Sequence, residues 1–507
     1  MRKQISEQSG QVDGHLLFDF QKAAYAQLEL ELDGRVQDLV EVVLAEYAEG
    51  GQAVHRPGWT TFKIDNIRLS PDQTTYRFRI PAHQGAYGAF PHVETPADFG
   101  GEVAVFRYVE INHYYGPAKV RRIEFYSDVP EDAAHFDSSD DRLNQVWEFC
   151  KYSILATSIF PCYVDGERER MPYEGDAYIT QLSHFCCGSD YAIAERTIDH
   201  FMANGDHTWP TEWYLVTPLL VKDFLLYSGN REALRRWLPR LYAKTLPNML
   251  REDGLLVPKG IVRDIIDWPE GDRDGYDFGA TNFVPNAYRC AALKALHELS
   301  ENINYLIEYN KDIDIIRRAM LKAGTFVDNP NSDHTSLHTA LFALRFGIAE
   351  PAEVPALQTI LREKGMACSV YVAQFLLETC FMNGLDDLGM RLLTADGAHS
   401  WFNMMREGST LAMEAWGETD KPYQDWSHPW GTAPANIIPR FVAGIRPTAP
   451  GFARFVVKPA PAAPRQFLCR HPTPWGAIEV RKDGDRLAVS ATGAAIRETA
   501  PGEFSAQ

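Results

Sequence analysis

The chain has 507 residues, of which 45% are hydrophobic and 12% aromatic, and it carries a formal net charge of −18. These values predict a packed soluble protein of two or three domains, and the acidic balance argues against a nucleic-acid-binding surface or a polybasic membrane contact. Residues 1–10 contain no apolar leader, no apolar run reaches membrane length and the eight cysteines are sparse, so we expect a reduced, cytoplasmic location.

Residues 1–135 have the pattern of β-strands. Short runs in which apolar and polar residues alternate are separated by clusters of Gly and Pro; the runs lie at 15–20, 27–32, 38–44, 76–80, 106–111 and 118–126. Alternation at period two is typical of half-buried antiparallel strands. We therefore predict an N-terminal β-sandwich domain over residues 1–135.

The middle of the chain, residues 136–445, changes to the helical period. Ser139 or Asp140 can cap a first helix that ends near Ser158. The further predicted helices lie at 176–187, 190–204, 212–228, 231–247, 283–309, 312–325, 334–346, 353–364, 369–383, 386–395 and 428–444.

The connections between these helices alternate in character. Most connections within a pair are short, whereas those between most pairs are longer and rich in Trp, Tyr, His and acidic residues; the long ones lie at 159–175, 205–211, 248–282, 326–333 and 396–427. Short connections make sequential helices antiparallel neighbours. We predict twelve helices in six hairpins, which form an (α/α)6 barrel over residues 136–445 with the long loops at one mouth.

The chain returns to strands after residue 451. Runs at 452–458, 477–480 and 486–490 predict a small C-terminal β-sandwich domain over residues 446–507, with a frayed tail from about Glu498. The predicted fold class is therefore multidomain α and β, with a helical barrel between two β-sandwiches.

The long loops concentrate carboxylates and aromatic side chains. In the stretch Tyr163–Asp176, five carboxylates and two arginines surround Gly166 and Pro172, and Asp176 is the predicted N-cap of the next helix. Later loops add His207, Trp209, Glu212, Trp213, Asp267, Trp268, Glu414, Trp416, His428 and Trp430. Aromatic faces stack on the C–H faces of a sugar ring, and paired carboxylates perform acid–base catalysis, so this composition predicts a carbohydrate site.

Other catalytic and metal-binding motifs are not found in the sequence. There is no GxSxG, HExxH or P-loop motif. His334 and His338 are four residues apart, but no acidic residue completes a zinc motif, and the acidic segment 264–277 lacks the spacing of an EF-hand. We predict neither a metal nor a cofactor.

A set of short motifs follows in one order through most of residues 135–455. The motifs are Asp165 with Glu169-Arg170 and Gly175-Asp176, then Asp267-Trp268-Pro269, Ser336-Leu337-His338, Gly408-Ser409-Thr410 to Glu414-Ala415-Trp416, and Ser427-His428 to Gly444-Ile445-Arg446-Pro447. In this set the chain resembles the bacterial α-L-rhamnosidases of glycoside hydrolase family 78. The resemblance implies a six-hairpin barrel that releases terminal α-L-rhamnose from a rhamnosylated small molecule or oligosaccharide.

The resemblance also implies roles for individual residues. Glu169 would be the general acid and Glu414 the general base of an inverting reaction, whose carboxyl groups lie about 6.5–9.5 Å apart. Substrate-binding roles are implied for Asp165, Arg170, Asp176 and His428, and, with more weight on loop position than on motif, for Trp209, Trp213, Asp267, Trp268 and Trp416.

Structural roles stay open as alternatives for these residues. Glu169 can form an ion pair with a neighbouring arginine, Glu414 can be a buried structural acid, and the tryptophans can belong to the core. For the whole chain, the alternatives are a six-hairpin glycosidase for another deoxy sugar, a lyase for a uronic acid, or a non-catalytic carbohydrate-binding protein. The sequence predicts neither the aglycone nor the oligomeric state.

Overall fold

The structure, a computed structural model, describes residues 1–35, 38–56, 58, 60–85, 92–203 and 208–506. His207, which we expected in the second long loop, lies outside the described residues. The strands that precede the helical part are β1 (Arg2–Leu32), β2 (Leu39–Ala45), β3 (Ala48–Glu49), β4 (Gln52–Ala53), β5 (Phe62–Arg68), β6 (Thr75–Arg77), β7 (Ala104–Tyr126) and β8 (His135–Ser138).

Strands β1 and β7 form the centre of a five-stranded antiparallel sheet with the strand order β5-β2-β7-β1-β6. Both strands bend, so that residues 118–124 of β7 pair with residues 4–10 of β1 on one side and with residues 26–32 on the other. Leu28, Leu30 and Leu32 are buried while the polar residues between them are not, which confirms the predicted alternation. The runs predicted as separate strands at 15–20 and 27–32 are parts of one strand.

The helical part contains all of the α-helices found in the described residues. They are α1 (Asp141–Thr157), α2 (Glu174–Cys187), α3 (Ala192–Ala203), α4 (Thr211–Ser228), α5 (Arg231–Leu241), α6 (Phe283–Ser300), α7 (Ile303–Met320), α8 (Leu337–Arg345), α9 (Val354–Lys364), α10 (Val370–Met382), α11 (Asp386–Leu393), α12 (Trp401–Glu407) and α13 (Ala433–Ile437). A short hairpin of β9 (Leu321–Lys322) and β10 (Thr325–Phe326) follows α7, and a π-helical turn, Ile438–Val442, continues α13. The predicted cap Asp140 is confirmed, because its side chain accepts hydrogen bonds from two N–H groups of α1.

Six of these helices form a closed ring. Helix α2 contacts α4, and the contacts continue through α6, α8, α10 and α13 back to α2. Helices α3, α5, α7, α9 and α11 pack outside the ring, each against its partner in sequence, and α1 packs against α2 and α13. Every residue of α2 is buried, whereas α5 buries one face only, as expected for inner and outer helices. This arrangement is the predicted barrel of six helical hairpins.

Several predicted element boundaries are wrong. The predicted helix 283–309 is two helices, because Glu301 adopts a left-handed φ of 58° and Asn302 then caps α7. The predicted N-cap Asp176 lies inside α2, which begins at Glu174. Helix α12 lies within a stretch predicted as loop, and it forms because Ser400 accepts the N–H of Asn403 as its cap.

The C-terminal strands are β11 (Ile445–Pro447), β12 (Arg454–Val457), β13 (Gln466–Thr473), β14 (Gly476–Asp483), β15 (Arg486–Thr492), β16 (Ile496–Ala500) and β17 (Glu503–Ala506). Together with β8, they form two four-stranded sheets, β11-β12-β17-β16 and β15-β14-β13-β8. The predicted frayed tail is therefore wrong, since β17 pairs with β12 and Phe504 stacks on Phe455. Strand β8, which lies at the predicted boundary between the first two domains, pairs with β13 of the C-terminal sheet. The division of the chain at residue 135 stays a prediction. Among the described helices, none combines the length and the apolar character needed to cross a membrane.

Candidate active site

The long loops surround a cavity of about 370 Å³ at the N-terminal ends of α2 and α4. Of the predicted site residues, those that line it are Asp165, Glu169, Asp176, Trp209, Trp213, Trp268, Glu414 and His428. The other lining residues are Arg168, Met171, Tyr173, Arg263, Ile265 and Trp430. Glu169 and Glu414, which are far apart along the chain, therefore face one cavity.

The loop that carries Glu169 is fixed by its own backbone and by the loop opposite. Asp165 and Met171 close a turn, since the N–H of Asp165 donates to the carbonyl of Met171 at 2.9 Å and the Asp165 carboxylate accepts the N–H of Met171 at 2.9 Å. The carboxylate of Asp425 accepts the N–H of Arg168 at 2.9 Å. A side chain at Gly166 would put its Cβ 2.3 Å from Asp425 Oδ2, so glycine is needed for this close approach.

Arg168 connects the two glutamates directly. Its Nη2 donates to Glu169 Oε1 at 2.8 Å and to Glu414 Oε1 at 3.1 Å, and its Nη1 donates to Glu414 Oε2 at 2.9 Å. One guanidinium group thus lies between the two carboxylates. Opposite charges favour the ionised form of Arg168, and although burial acts the other way, its pKa is raised.

Glu414 is held as a carboxylate by the groups around it. Burial acts to raise its pKa, but the positive charges of Arg168, His428 and Lys421 outweigh burial and lower the pKa of Glu414 to about 2. The ammonium group of Lys421 is in direct contact with Glu414 Oε1, and the N–H of Asp425 donates to Oε2 at 3.1 Å. Glu414 is therefore ionised at neutral pH, which is the form a general base requires.

The other glutamate has a hydroxyl neighbour. Tyr173 OH donates to Glu169 Oε2 at 2.7 Å, and the Tyr173 ring lies 5.2 Å from that of Trp213. Tyr173 ends the segment Met171–Tyr173, which also supplies Met171 to the cavity wall. The short segment that follows Glu169 thus positions its carboxylate and contributes to the cavity wall.

Four buried polar atoms of the cavity wall have no hydrogen-bond partner within the described parts of the chain. They are Asp165 Oδ2, Asp176 Oδ2, Trp213 Nε1 and His428 Nδ1. Buried polar atoms in native proteins are normally paired, so unpaired ones in a cavity wall are candidates for pairing with water or with a ligand. Hydroxyl groups, which both donate and accept, suit such a set of acceptors and donors.

The two aspartates of this set are shielded from water. Burial raises the pKa of Asp165, and the negative charge of Glu169 raises it further. Burial also raises the pKa of Asp176, and the hydrogen bond that Asp176 shares with His428 at 2.9 Å offsets only part of this effect. Three acidic groups, Asp165, Glu169 and Asp176, therefore share one water-poor wall of the cavity.

Three predicted site residues do not line the cavity. The Arg170 guanidinium is fully buried on the other side of its loop, where it binds Glu167 and Glu102 at 2.9 Å each and donates to the Val103 carbonyl at 3.2 Å. Its position does not support the prediction that Arg170 binds substrate. The reason is that Arg168 and Arg170 point to opposite sides of the loop, so Arg170 instead attaches the loop that carries Glu169 to the segment before β7.

Asp267 and Trp416 also lie behind the cavity wall. The buried Asp267 carboxylate pairs with His338 Nε2 at 2.7 Å and accepts the N–H of Ser369 at 2.9 Å. Trp416 Nε1 donates to the Cys368 carbonyl at 2.8 Å. Both side chains already have polar partners in the protein, so their positions support a structural role, in contrast to the substrate contacts predicted for them.

His334 and His338, which are four residues apart, do not face one common site. His334 pairs with Asp328 at 2.6 Å, whereas His338 pairs with Asp267, so the two imidazoles serve different carboxylates. Among the described residues, no group of three or more His, Cys, Asp and Glu side chains has the arrangement to hold a metal ion.

Sequence reasoning missed Arg168, Arg263 and Lys421 as site residues. Arg168 enters the sequence analysis only as a possible ion-pair partner of Glu169. Its position between Glu167 and Glu169 could have indicated that it lies at the site. Arg263 and Lys421 are single basic residues in loops, and nothing in the local sequence distinguishes them from solvated charges.

The comparison with protein families gives one match that covers most of the helical part. Residues 131–442 match the family model described as the bacterial alpha-L-rhamnosidase 6 hairpin glycosidase domain. This range is more than half of the chain, and it contains both glutamates of the cavity. No curated protein sequence matches the chain.

Solved structures with a similar fold include three rhamnosidases. The GH78 rhamnosidase of Bacillus sp. GL1 is 17% identical and has a TM-score of 0.75, with 94% of this chain and 52% of that chain covered. The α-L-rhamnosidase of Aspergillus terreus is 14% identical (TM-score 0.77; 97% and 61% covered). The α-L-rhamnosidase of Streptomyces avermitilis, complexed with L-rhamnose, is 13% identical (TM-score 0.74; 97% and 51% covered). At these identities the likeness shows the fold, and the chain spans less than two thirds of each protein's length.

Proposed function

The chain belongs to the bacterial α-L-rhamnosidase six-hairpin glycosidase family, and from this premise we propose that it is a glycoside hydrolase that releases terminal α-L-rhamnose. The observation that carries the proposal is that Glu169 and Glu414 face one cavity and bind the same arginine. The substrate is a rhamnosylated small molecule or oligosaccharide whose terminal sugar enters this cavity.

In the proposed mechanism, the two glutamates have opposite tasks. Glu169 donates a proton to the glycosidic oxygen as the bond to the aglycone breaks. Glu414 takes a proton from the water that attacks the anomeric carbon; it is ionised at neutral pH, and loss of its contact with Arg168, one of the charges that lower its pKa to about 2, would make it a stronger base. Asp165, Asp176 and His428 bind the sugar hydroxyls through the buried atoms that lack a partner within the described chain.

We also propose that the reaction inverts the anomeric configuration, as the family resemblance implies. The same Arg168 nitrogen lies 2.8 Å from Glu169 Oε1 and 3.1 Å from Glu414 Oε1, so these two oxygens are closer than the gap of about 6.5–9.5 Å that admits a sugar and a water. Inversion therefore requires that substrate binding moves Arg168 and widens this gap. Proton NMR of the first product decides the matter: β-L-rhamnose is expected, and α-L-rhamnose would mean retention.

A panel of aryl glycosides tests the activity itself. The wild-type protein is expected to hydrolyse the aryl α-L-rhamnoside, and Glu169→Gln and Glu414→Gln are each expected to lower kcat by about 10²–10⁴-fold because each removes a general acid or base. If the α-L-rhamnoside is not cleaved while another aryl glycoside is, the sugar assignment is wrong. If both variants keep wild-type kcat, the assignment of the two glutamates is wrong.

A cytoplasmic location and the division at residues 135 and 445 stay part of this proposal. All eight cysteines are free thiols, and seven of them are buried, which is compatible with a reducing compartment. Fractionation of the producing cell would test the location.

A further inference from the structure

A second cavity, of about 250 Å³, adjoins the active site. The two cavities share Trp209, Arg263, Ile265 and Trp268, so they form one continuous groove. The first cavity contains Glu169 and Glu414, and the second extends away from both of them towards Phe278. A ligand larger than one sugar can therefore occupy both cavities, with its terminal sugar beside the two glutamates and its next group beside the four shared residues.

The wall that the two cavities share is held in place by hydrogen bonds. The backbone of residues 263–266 bonds to the backbone of residues 209–211 and to the side chain of Glu212. Arg263 donates its N–H to the Trp209 carbonyl at 2.9 Å and accepts the N–H of Thr211 at 3.0 Å. The buried Glu212 carboxylate accepts the N–H groups of Ile265 at 3.2 Å and Ile266 at 2.9 Å. These bonds hold Arg263 beside Trp209, with the guanidinium 4.4 Å from the centre of the indole ring.

Arg263 is the cation of this groove that is left for a ligand. Its exposed guanidinium has no ion-pair partner among the residues that the structure describes, whereas Arg273, the other arginine of the second cavity, pairs with Glu270 at 3.2 Å and donates to the Asp267 carbonyl at 3.0 Å. The remaining acidic group, Asp264, is bound by Asn282 at 2.8 Å, and burial raises its pKa. The second cavity therefore offers one free positive charge beside aromatic faces.

We propose that the second cavity binds the group to which rhamnose is attached, and that this group is a sugar with a carboxylate, a uronic acid residue. The face of Trp268 packs on the C–H face of the sugar ring, and the planar Arg263 guanidinium, which lies over the Trp209 ring, binds the carboxylate through two parallel hydrogen bonds. The proposal rests on the proposed function, since it assigns the leaving group of that reaction. In a chain with a net charge of −18, an acidic substrate needs such a local cation to bind.

Two substrates that differ in one charge test the proposal. They are an α-L-rhamnosyl-glucuronate disaccharide and its methyl ester, which has the same linkage and the same type of leaving group. The wild-type protein is expected to prefer the acid over the ester by about tenfold in kcat/KM, the size of one charge-assisted contact. The preference is expected to disappear in Arg263→Gln, to persist in part in Arg263→Lys, and to fall as salt is added.

Control measurements separate this proposal from the one it rests on. Arg235→Gln removes an exposed arginine of the outer helix α5 and is expected to keep the wild-type preference. Equal cleavage of acid and ester by the wild type, an unchanged preference in Arg263→Gln, or cleavage of an uncharged aryl α-L-rhamnoside but of neither disaccharide would each overturn the uronate site. Failure to cleave the aryl α-L-rhamnoside would instead overturn the proposed function.

Discussion

Two clusters of buried charges lie at opposite ends of the inner ring. At the mouth, Arg168, Glu169, Glu414 and Lys421 are in contact, and the wall beside them contains polar atoms that lack a partner in the described chain. At the C-terminal ends of α8 and α10, the fully buried Glu378 binds Arg345 at 2.6 Å and Arg440 at 2.6 Å and also accepts from Gln374 at 3.0 Å. The first cluster is open to a ligand, and the second is closed by the protein itself.

This difference separates the proposed active site from a structural cluster. Burial acts to raise the pKa of Glu378, but the two guanidinium groups outweigh burial and lower the pKa, so they stabilise the ionised form of Glu378. Glu378 also connects three helices of the ring, because its partners lie on α8 and just after α13. Loss of charge should therefore reduce stability at the closed cluster and activity at the open one.

The largest effect on folding is expected for Glu378→Gln. The change removes the carboxylate that binds both Arg345 and the buried Arg440, and we expect the free energy of unfolding to fall by about 3–5 kcal/mol. The loss in the free energy of unfolding is measured by urea denaturation, followed by circular dichroism. The matched change Glu169→Gln at the mouth is expected to cost less than about 1.5 kcal/mol, because Arg168 keeps its bonds to Glu414. Equal losses in the two variants would contradict the distinction between the clusters.

The sequence predicted the parts of the fold that are set by local patterns. Alternation predicted Leu28–Leu32, and a capping side chain predicted the start of α1 at Asp140. The break at Glu301 was missed because a non-glycine residue rarely adopts a left-handed φ. The strand that contains Phe504 was missed because its partner, β12, is distant along the chain, and no local signal records a pairing of this kind.

For the site, as for the fold, the sequence predicted the residues that lie in motifs but not the contacts made between distant segments. Glu169 and Glu414 were assigned through ordered motifs, and the cavity contains both. Arg168 and Arg170 could not be distinguished from the sequence, because a loop has no regular period from which the side that each residue faces can be predicted. Lys421 reaches Glu414 only through the folding of the loop that follows Trp416, so its contact is a tertiary property.

A smaller effect, on pH dependence, is expected for Lys421→Met. The positive charge of Lys421 helps to lower the pKa of Glu414 to about 2, so removal of that charge raises the pKa, and Glu414, the proposed base, is protonated at higher pH. The acidic limb of the kcat/KM profile should shift to higher pH by about one unit. It should then lie in a pH range over which the kcat/KM of the wild type is constant. Lys421→Arg should restore the wild-type profile.

The control for this change is Lys364→Met, which removes an exposed lysine that pairs with Asp274 outside the active-site cavity. It should leave the acidic limb where it is in the wild type. A limb that stays in place in Lys421→Met would mean that Lys421 does not act on the base, and the open cluster would then consist of Arg168 and the two glutamates alone.

The smallest effect is expected at the contact that connects the mouth to the N-terminal strands. Arg56 binds Glu418 at 2.8 Å, and its guanidinium lies 3.7 Å from the ring centre of Tyr47, so it holds the loop that carries Lys421. Arg56→Gln should lower the free energy of unfolding by less than about 1 kcal/mol and kcat/KM by less than about fivefold, because the ion pair is partly exposed. Arg56→Lys keeps the charge but loses the planar stacking on Tyr47. Its free energy of unfolding and its kcat/KM should therefore lie between those of the wild type and Arg56→Gln. A loss of activity in Arg56→Gln as large as in Glu414→Gln would mean that the N-terminal strands, and not the barrel alone, determine the position of the base.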